Sequence, residues 1–231
     1  MIKRAVYVVL FIVAVIAGVL IYRMMTPSGA RNNHVWEFLQ DPASHPDYKM
    51  AALTRCGSAP FLFPTDGMAG FLWDDSFRIG HRHQGIDIFA GTDVGITPVY
   101  TAYDGYLTRL SDWKSSVIQR VPSDPLQPGR QIWLYYTHMA DEAGTSYVVA
   151  DFPPGTREVF VAAGTLLGYQ GNYSGDPNNP TGVHLHFSIV RDDGNGNFLN
   201  ELDIRNTYDP SPYLGLALNA KTSQGEVPLC R

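Results

Sequence analysis

The chain has 231 residues, 45% of them hydrophobic and 17% charged, with a formal net charge of −5. That length supports one globular domain of ordinary size plus additional segments. An acidic chain with 17 Lys and Arg excludes the basic footprint of a nucleic-acid binder.

The first element is "MIKR" followed by an uncharged apolar run over residues 5–22, closed by Arg23. About 18 apolar residues are near the minimum for a helix that crosses a bilayer. Lys3 and Arg4 favour a cytoplasmic N-terminus, which places everything after Arg23 outside. The rival reading is a cleaved signal peptide, with Val15 and Ala17 as the small residues before a cut. "GVLIY" continues the run past that point, and signal cores are shorter, so an uncleaved anchor is favoured. Both readings export the rest of the chain. No cysteine near the run suggests a lipid anchor.

Residues 24–55 are mixed and polar, with "TPSGARNN" and "DPASHPD", and are expected to form an extracytoplasmic stalk. "HVWEFLQD" (34–41) predicts a short helix within it. A domain is expected over 56–217 and a tail over 218–231. The two cysteines, Cys56 and Cys230, flank the domain. In an exported protein such a pair is expected as a disulfide. It would close a loop worth at most about 5 kcal/mol by chain entropy. No Cys or His stands at ligand spacing from either cysteine, which argues against a Cys-based metal site.

From Cys56 the texture changes. Gly (22) and Pro (16) are frequent and aromatic residues reach 12%. "TPVYTA", "GYLTRL", "SSVIQ", "QIWLYYTH", "EVFVAA" and "HLHFSIV" are short β-branched or aromatic runs. Turn signals such as "YDG", "PSDPLQPG", "FPPG" and "DDGNGN" separate them. This pattern predicts a mainly β domain with an antiparallel sheet or sandwich. "DDGNGN" (192–197) fails the calcium-loop template at its glycine and its final acid, and reads as a hairpin turn.

Five of the seven histidines fall in the β region. As a strand, "HLHFSIV" puts His184, His186 and Ser188 on one face and Leu185, Phe187 and Ile189 on the other. The apolar face belongs to the core, and the histidine face must look into a cleft or onto a partner. "HRHQGIDI" aligns His83, Gly85 and Asp87. A straight strand would hold the Cα atoms of His83 and Asp87 about 13 Å apart. They converge on one ion only if the chain bends or approaches closely at Gly85. His83, Asp87 and one histidine of the pair give three protein ligands and leave a fourth position open, as in catalytic zinc sites. "LYYTHMA" ends a strand at His138, whose weight comes from the other two segments.

Together, "HQGIDIFAGTDVGITPVYTAYDGYL", "YYTHMA" and "GTLLGYQGNYSGDPNNPTGVHLHFSIV" resemble the lysostaphin-like (LytM-like) zinc metallopeptidases, exported bacterial enzymes that cut peptide bonds in peptidoglycan. The resemblance covers about residues 61–216. It implies an antiparallel β domain with a substrate groove over a Zn2+ ion. It implies His83, Asp87 and His186 as zinc ligands, and His184 and His138 as the non-ligand catalytic histidines. His81 has no counterpart. Zinc in such a site polarises the scissile carbonyl and lowers the pKa of its water towards about 7. With no H-E-x-x-H present, a histidine must take the proton, and His184 is assigned that part. His138 would hold the oxyanion or share the proton. The expectation is a membrane-anchored, single-pass zinc endopeptidase on the extracytoplasmic side. Its partners would be peptidoglycan peptides and the membrane, with no nucleic acid. The alternative is a catalytically silent relative that regulates other wall hydrolases, although no expected ligand is missing. "PSDPLQPGR" (122–130) and "GNYSGDPNNPTGV" (171–183) are expected to remodel the groove. Asn32, Asn33 and His34 are candidates to cap the zinc from the stalk.

Overall fold

The computed structural model describes residues 7, 9–18, 27–76 and 80–230. Residues 9–18 are helical, and apolar side chains such as Leu10, Phe11 and Ile16 are exposed there. Among the described residues no helix is long and apolar enough to cross a membrane. The span expected over 5–22 lies partly outside them.

Ten strands follow among the described residues: β1 (Met68–Ala69), β2 (Ile86–Phe89), β3 (Pro98–Tyr100), β4 (Gly105–Thr108), β5 (Val117–Val121), β6 (Ile132–Thr137), β7 (Val159–Val161), β8 (Leu166–Tyr169), β9 (Leu185–Arg191) and β10 (Thr207–Tyr208). The main sheet runs β1-β2-β9-β6-β5-β4-β7, with β10 also on β9, while β3 and β8 pair separately. Every pairing between these ten strands is antiparallel, as the short alternating runs predict.

β9 is the central strand. β6 pairs with it from His186 to Arg191, and β2 pairs with it from Leu185 to Phe187. Leu185, Phe187 and Ile189 enter the main core with Ile86, Ile88, Leu134 and Tyr136. The opposite face is closed at one end by Val190 packing with Ile118 and Trp133. At the other end it carries His184 and His186.

Gly85 makes the approach of β2 to β9 feasible. A Cβ there would lie 2.3 Å from the carbonyl oxygen of Phe187 and 2.8 Å from Ser188 Cβ. Close backbone contact explains this glycine, since its φ is not in the left-handed range.

The segment expected as a stalk packs on the sheet instead of standing clear of it. Its helix, α1 (Pro27–Gln40), starts earlier than the predicted 34–41 and ends one residue sooner. Val35 and Phe38 form a second apolar cluster with Met68 and Phe89, and Met50 joins the main core. The i, i+3 spacing of Val35 and Phe38 supplies the apolar stripe. Arg31 is fully buried, paired with Asp75 and donating to Ser223 Oγ at 2.8 Å. A disulfide joins Cys56 to Cys230, whose Cα atoms are 5.3 Å apart. The chain ends with a short helix, α2 (Ser211–Leu214), and an irregular segment.

Two loops differ in their relation to the groove. Loop 171–183 borders it, as expected. Residues 122–131 lie at the other end of β6 from His138, about 20 Å along the strand. There buried Asp124 accepts from Leu126 N, Arg130 Nε and Tyr213 Oη, each at 2.8 Å. The apolar length of β6 sets that separation, so this loop does not shape the groove. "DDGNGN" forms the expected turn, with Asp192 bridged to Phe198.

Gly85→Ala should destabilise the fold by about 1–3 kcal/mol, because the backbone contact leaves no room for a methyl group. A chemical-denaturation midpoint equal to wild type would contradict that packing.

Candidate metal centre

His83 precedes β2 and is held at both backbone groups. Its N–H donates to Asp75 O and its carbonyl accepts from Asp74 N, both at 2.8 Å. Its Nδ1 lies 3.0 Å from Leu72 O. A carbonyl can only accept, so Nδ1 carries the proton and Nε2 points inward as a lone pair. Asp87 lies on β2 directly opposite His186 on β9.

The three side chains meet at one point. His83 Nε2 lies 3.1 Å from Asp87 Oδ1 and 3.1 Å from His186 Nδ1, and His186 Nδ1 lies 2.8 Å from Asp87 Oδ1. All three residues are buried, and they form the one group of possible metal-holding residues among the described residues. The outer nitrogen of His186, Nε2, lies 2.8 Å from Glu201 Oε1.

Lone pairs brought this close repel unless a cation lies among them. In the metal-free protein that cation is a proton on His186. Burial lowers the pKa of His186, but the charges and hydrogen bonds of Glu201 and Asp87 outweigh it and raise the pKa to about 10. Burial pushes the Asp87 carboxyl up, yet the surrounding histidines hold it well below the usual carboxylate range. Glu201 is likewise lowered, with burial opposed by His186 and His83 and by the Ser188 hydroxyl.

His184 and His138 stand beside the cluster with ring centroids 4.5 Å apart. His184 Nδ1 lies 2.6 Å from Gly182 O, and its Nε2 lies 3.5 Å from Asp87 Oδ1. His138 Nδ1 lies 2.6 Å from Tyr173 O. Each ring therefore spends its Nδ1–H on a carbonyl and keeps an Nε2 lone pair when neutral. His138 has a left-handed backbone, φ +71°, at the end of β6. Burial, then the neighbouring His184 and His186, push its pKa down to about 3. At neutral pH His138 therefore stays uncharged, and its Nε2 accepts hydrogen bonds and does not donate them.

The cluster forms the floor of a cleft of about 810 Å³. Tyr173, Thr181 and Gly182 from loop 171–183 line it, as do Val35, Trp36 and Leu39 from α1. His81 sits at the cleft with its ring 6.5 Å from that of His83, outside the cluster. His34 bonds to Glu37 and Tyr48, each at 3.1 Å. Neither it nor Asn32 or Asn33 lines the cleft, so none of them caps the cluster.

The five residues predicted from sequence thus come together. The sequence reading missed Glu201, which stands in "NELD" outside every motif, and the contribution of α1 to the cleft. No spacing signal marks Glu201. For α1, the stripe Val35, Phe38 and Leu39 was the available clue.

Fold and site define an antiparallel β domain with a buried His–Asp–His cluster at the floor of a cleft. No protein-family model and no curated protein matches the sequence. Among solved structures, the chain is similar to the catalytic domain of a prophage-encoded M23 protein, EnpA, from Enterococcus faecalis. The identity is 20% and the TM-score 0.39, over 64% of this chain and 95% of that one. It is similar to a chain bearing the name glycyl-glycine endopeptidase LytM from Ruminococcus gnavus. There the identity is 22% and the TM-score 0.39, over 68% and 59% of the two chains. It is also similar to lysostaphin at 20% identity and TM-score 0.39, over 65% and 49%. The chain therefore spans only about half of lysostaphin and 59% of the Ruminococcus gnavus chain. At these identities and TM-scores the site is read from its own geometry.

A metal ion must displace the proton that His186 holds below about pH 10. Affinity for Zn2+ should therefore rise with pH, by up to about tenfold per unit between roughly pH 6.5 and 8.5, with proton release. Calorimetry in buffers of different ionisation heat measures this; binding that releases no proton would contradict it.

Proposed function

We propose that the chain is a zinc metalloendopeptidase that hydrolyses peptide bonds in peptidoglycan. In this reading the apolar run at 5–22 anchors it in a bacterial cell membrane, with the domain outside. The observation that carries the activity is the convergence of His83 Nε2, Asp87 Oδ1 and His186 Nδ1 within 3.1 Å of one another beside two further histidines. The order of the H-x-G-x-D, Tyr-x-His and H-x-H motifs supports the substrate class.

The donor set fits zinc. With bonds of about 2.0–2.2 Å, tetrahedral donors stand roughly 3.3–3.5 Å apart, a few tenths of an ångström wider than the present triangle. Both histidines present the correct nitrogen, since Leu72 O holds the other nitrogen of His83 and Glu201 that of His186. Two nitrogens and one carboxylate oxygen leave a fourth position open, which suits catalysis more than structure.

Zinc bound there would supply Lewis acidity to a scissile carbonyl and acidify the attacking water. His184, its Nδ1–H fixed on Gly182 O, offers Nε2 to take the proton of that water. His138, fixed on Tyr173 O, offers a second hydrogen-bond acceptor at the same edge. Once His184 is protonated, its Nε2–H can donate to the oxyanion or the leaving amine. The cleft walls from α1 and loop 171–183 hold the peptide and exclude water.

Purified peptidoglycan incubated with the protein should gain new amino and carboxyl termini by mass spectrometry. Chelation should abolish them and zinc should restore them. His83→Ala and Asp87→Ala should lose zinc. His184→Ala should retain zinc and lose about 10²–10⁴-fold in rate. Near wild-type cleavage by His184→Ala would overturn its role as base. A wild-type protein that binds zinc and leaves peptidoglycan intact would favour the regulatory alternative.

A further inference from the structure

We propose that Glu201 is a positioning residue for the metal, one that sets the orientation and donor strength of His186. The inference rests on the reading of His83, Asp87 and His186 as metal ligands.

The two imidazoles of the cluster are held from behind in different ways. His83 donates its outer N–H to a neutral backbone oxygen, Leu72 O, at 3.0 Å. His186 meets a carboxylate, Glu201 Oε1, at 2.8 Å, and Glu201 is itself largely buried. An anionic acceptor that faces Nε2 does two things. It forces the proton onto Nε2, so that Nδ1 turns its lone pair towards Asp87 and His83. It also draws that proton outward, which makes Nδ1 a stronger donor. A ring flipped end over end would point a C–H at the carboxylate and lose this bond.

Glu201 is held in place by its surroundings. Leu202 O accepts from Gln84 Nε2 at 2.8 Å, which ties the backbone beside Glu201 to the residue that follows His83. Asn200 steadies the turn, its Oδ1 accepting from Leu202 N at 3.1 Å and its carbonyl from Asn206 Nδ2 at 2.9 Å. The carboxylate arrives from residues 199–203, between the 192–197 turn and β10. One connection outside the strands thus links both ligand segments.

The test compares wild type with Glu201→Gln and Glu201→Ala. Zn2+ affinity is measured by competition with a chromophoric chelator, and the ligand field by the visible spectrum of the Co2+-substituted proteins. Circular dichroism and thermal melting confirm folding. Both variants should bind Zn2+ about 10–100-fold more weakly than wild type and shift the Co2+ bands. Gln preserves the shape and removes the charge, so a mere packing role would leave Glu201→Gln like wild type. Should Glu201→Ala fail to fold, Glu201→Gln decides. A loss smaller than about tenfold in Glu201→Gln, with unchanged Co2+ bands, overturns the proposal. Failure of wild type to take up stoichiometric Zn2+ overturns the metal reading itself.

Discussion

Asp87 and His186 face each other across the antiparallel pairing of β2 with β9, and the site is built outward from that register. Side chains alternate along a strand, so a slip of one residue would send His186 into the core and Phe187 into the cleft. Leu185, Phe187 and Ile189 prevent the slip by burying one complete face of β9. Gly85 lets the strands approach closely enough for a carboxylate and an imidazole to share a point. The hydrophobic core thus specifies where the polar chemistry stands.

A cluster of this kind is costly to bury unless every polar atom has a partner. The structure answers atom by atom. Leu72, Gly182 and Tyr173 carbonyls take one N–H each from His83, His184 and His138, and Glu201 takes the outer N–H of His186. What is left on the inner side is a set of lone pairs and one carboxylate, an arrangement that demands a cation. The raised pKa of His186 expresses the same demand in protons. The buried Arg31–Asp75 pair extends this order outwards, since the Asp75 carbonyl holds the His83 backbone N–H. The helix α1 is in this way joined to a ligand segment as well as to the cleft wall.

Much of this was readable in the residues. The alternation of "HLHFSIV" identified the core face of β9, and H-x-G-x-D marked Gly85 as the place of a bend or a close approach, of which the structure shows the close approach. What escaped was whatever depends on long-range packing. Residues 27–40 look polar because Arg31, Asn32, Asn33 and His34 dominate the run, yet the two Nη groups of Arg31 bond to partners 44 and 192 residues away. Glu201 has no periodic neighbours and becomes meaningful only once β10 folds back on β9. The turn at 122–131 was expected at the groove because the paired strand direction, and hence the end of β6 it occupies, is not encoded locally. The left-handed backbone of His138 is also invisible in "YYTHMA".

The first coordination shell can be measured directly by X-ray absorption at the zinc edge of the loaded protein. Two imidazole nitrogens, one carboxylate oxygen and one further light-atom donor are expected at about 2.0–2.2 Å, with the outer-ring scattering of two histidines. The His83→Ala protein should lose this shell. A shell with sulfur, with six oxygens, or without imidazole scattering would contradict a metal held between β2 and β9.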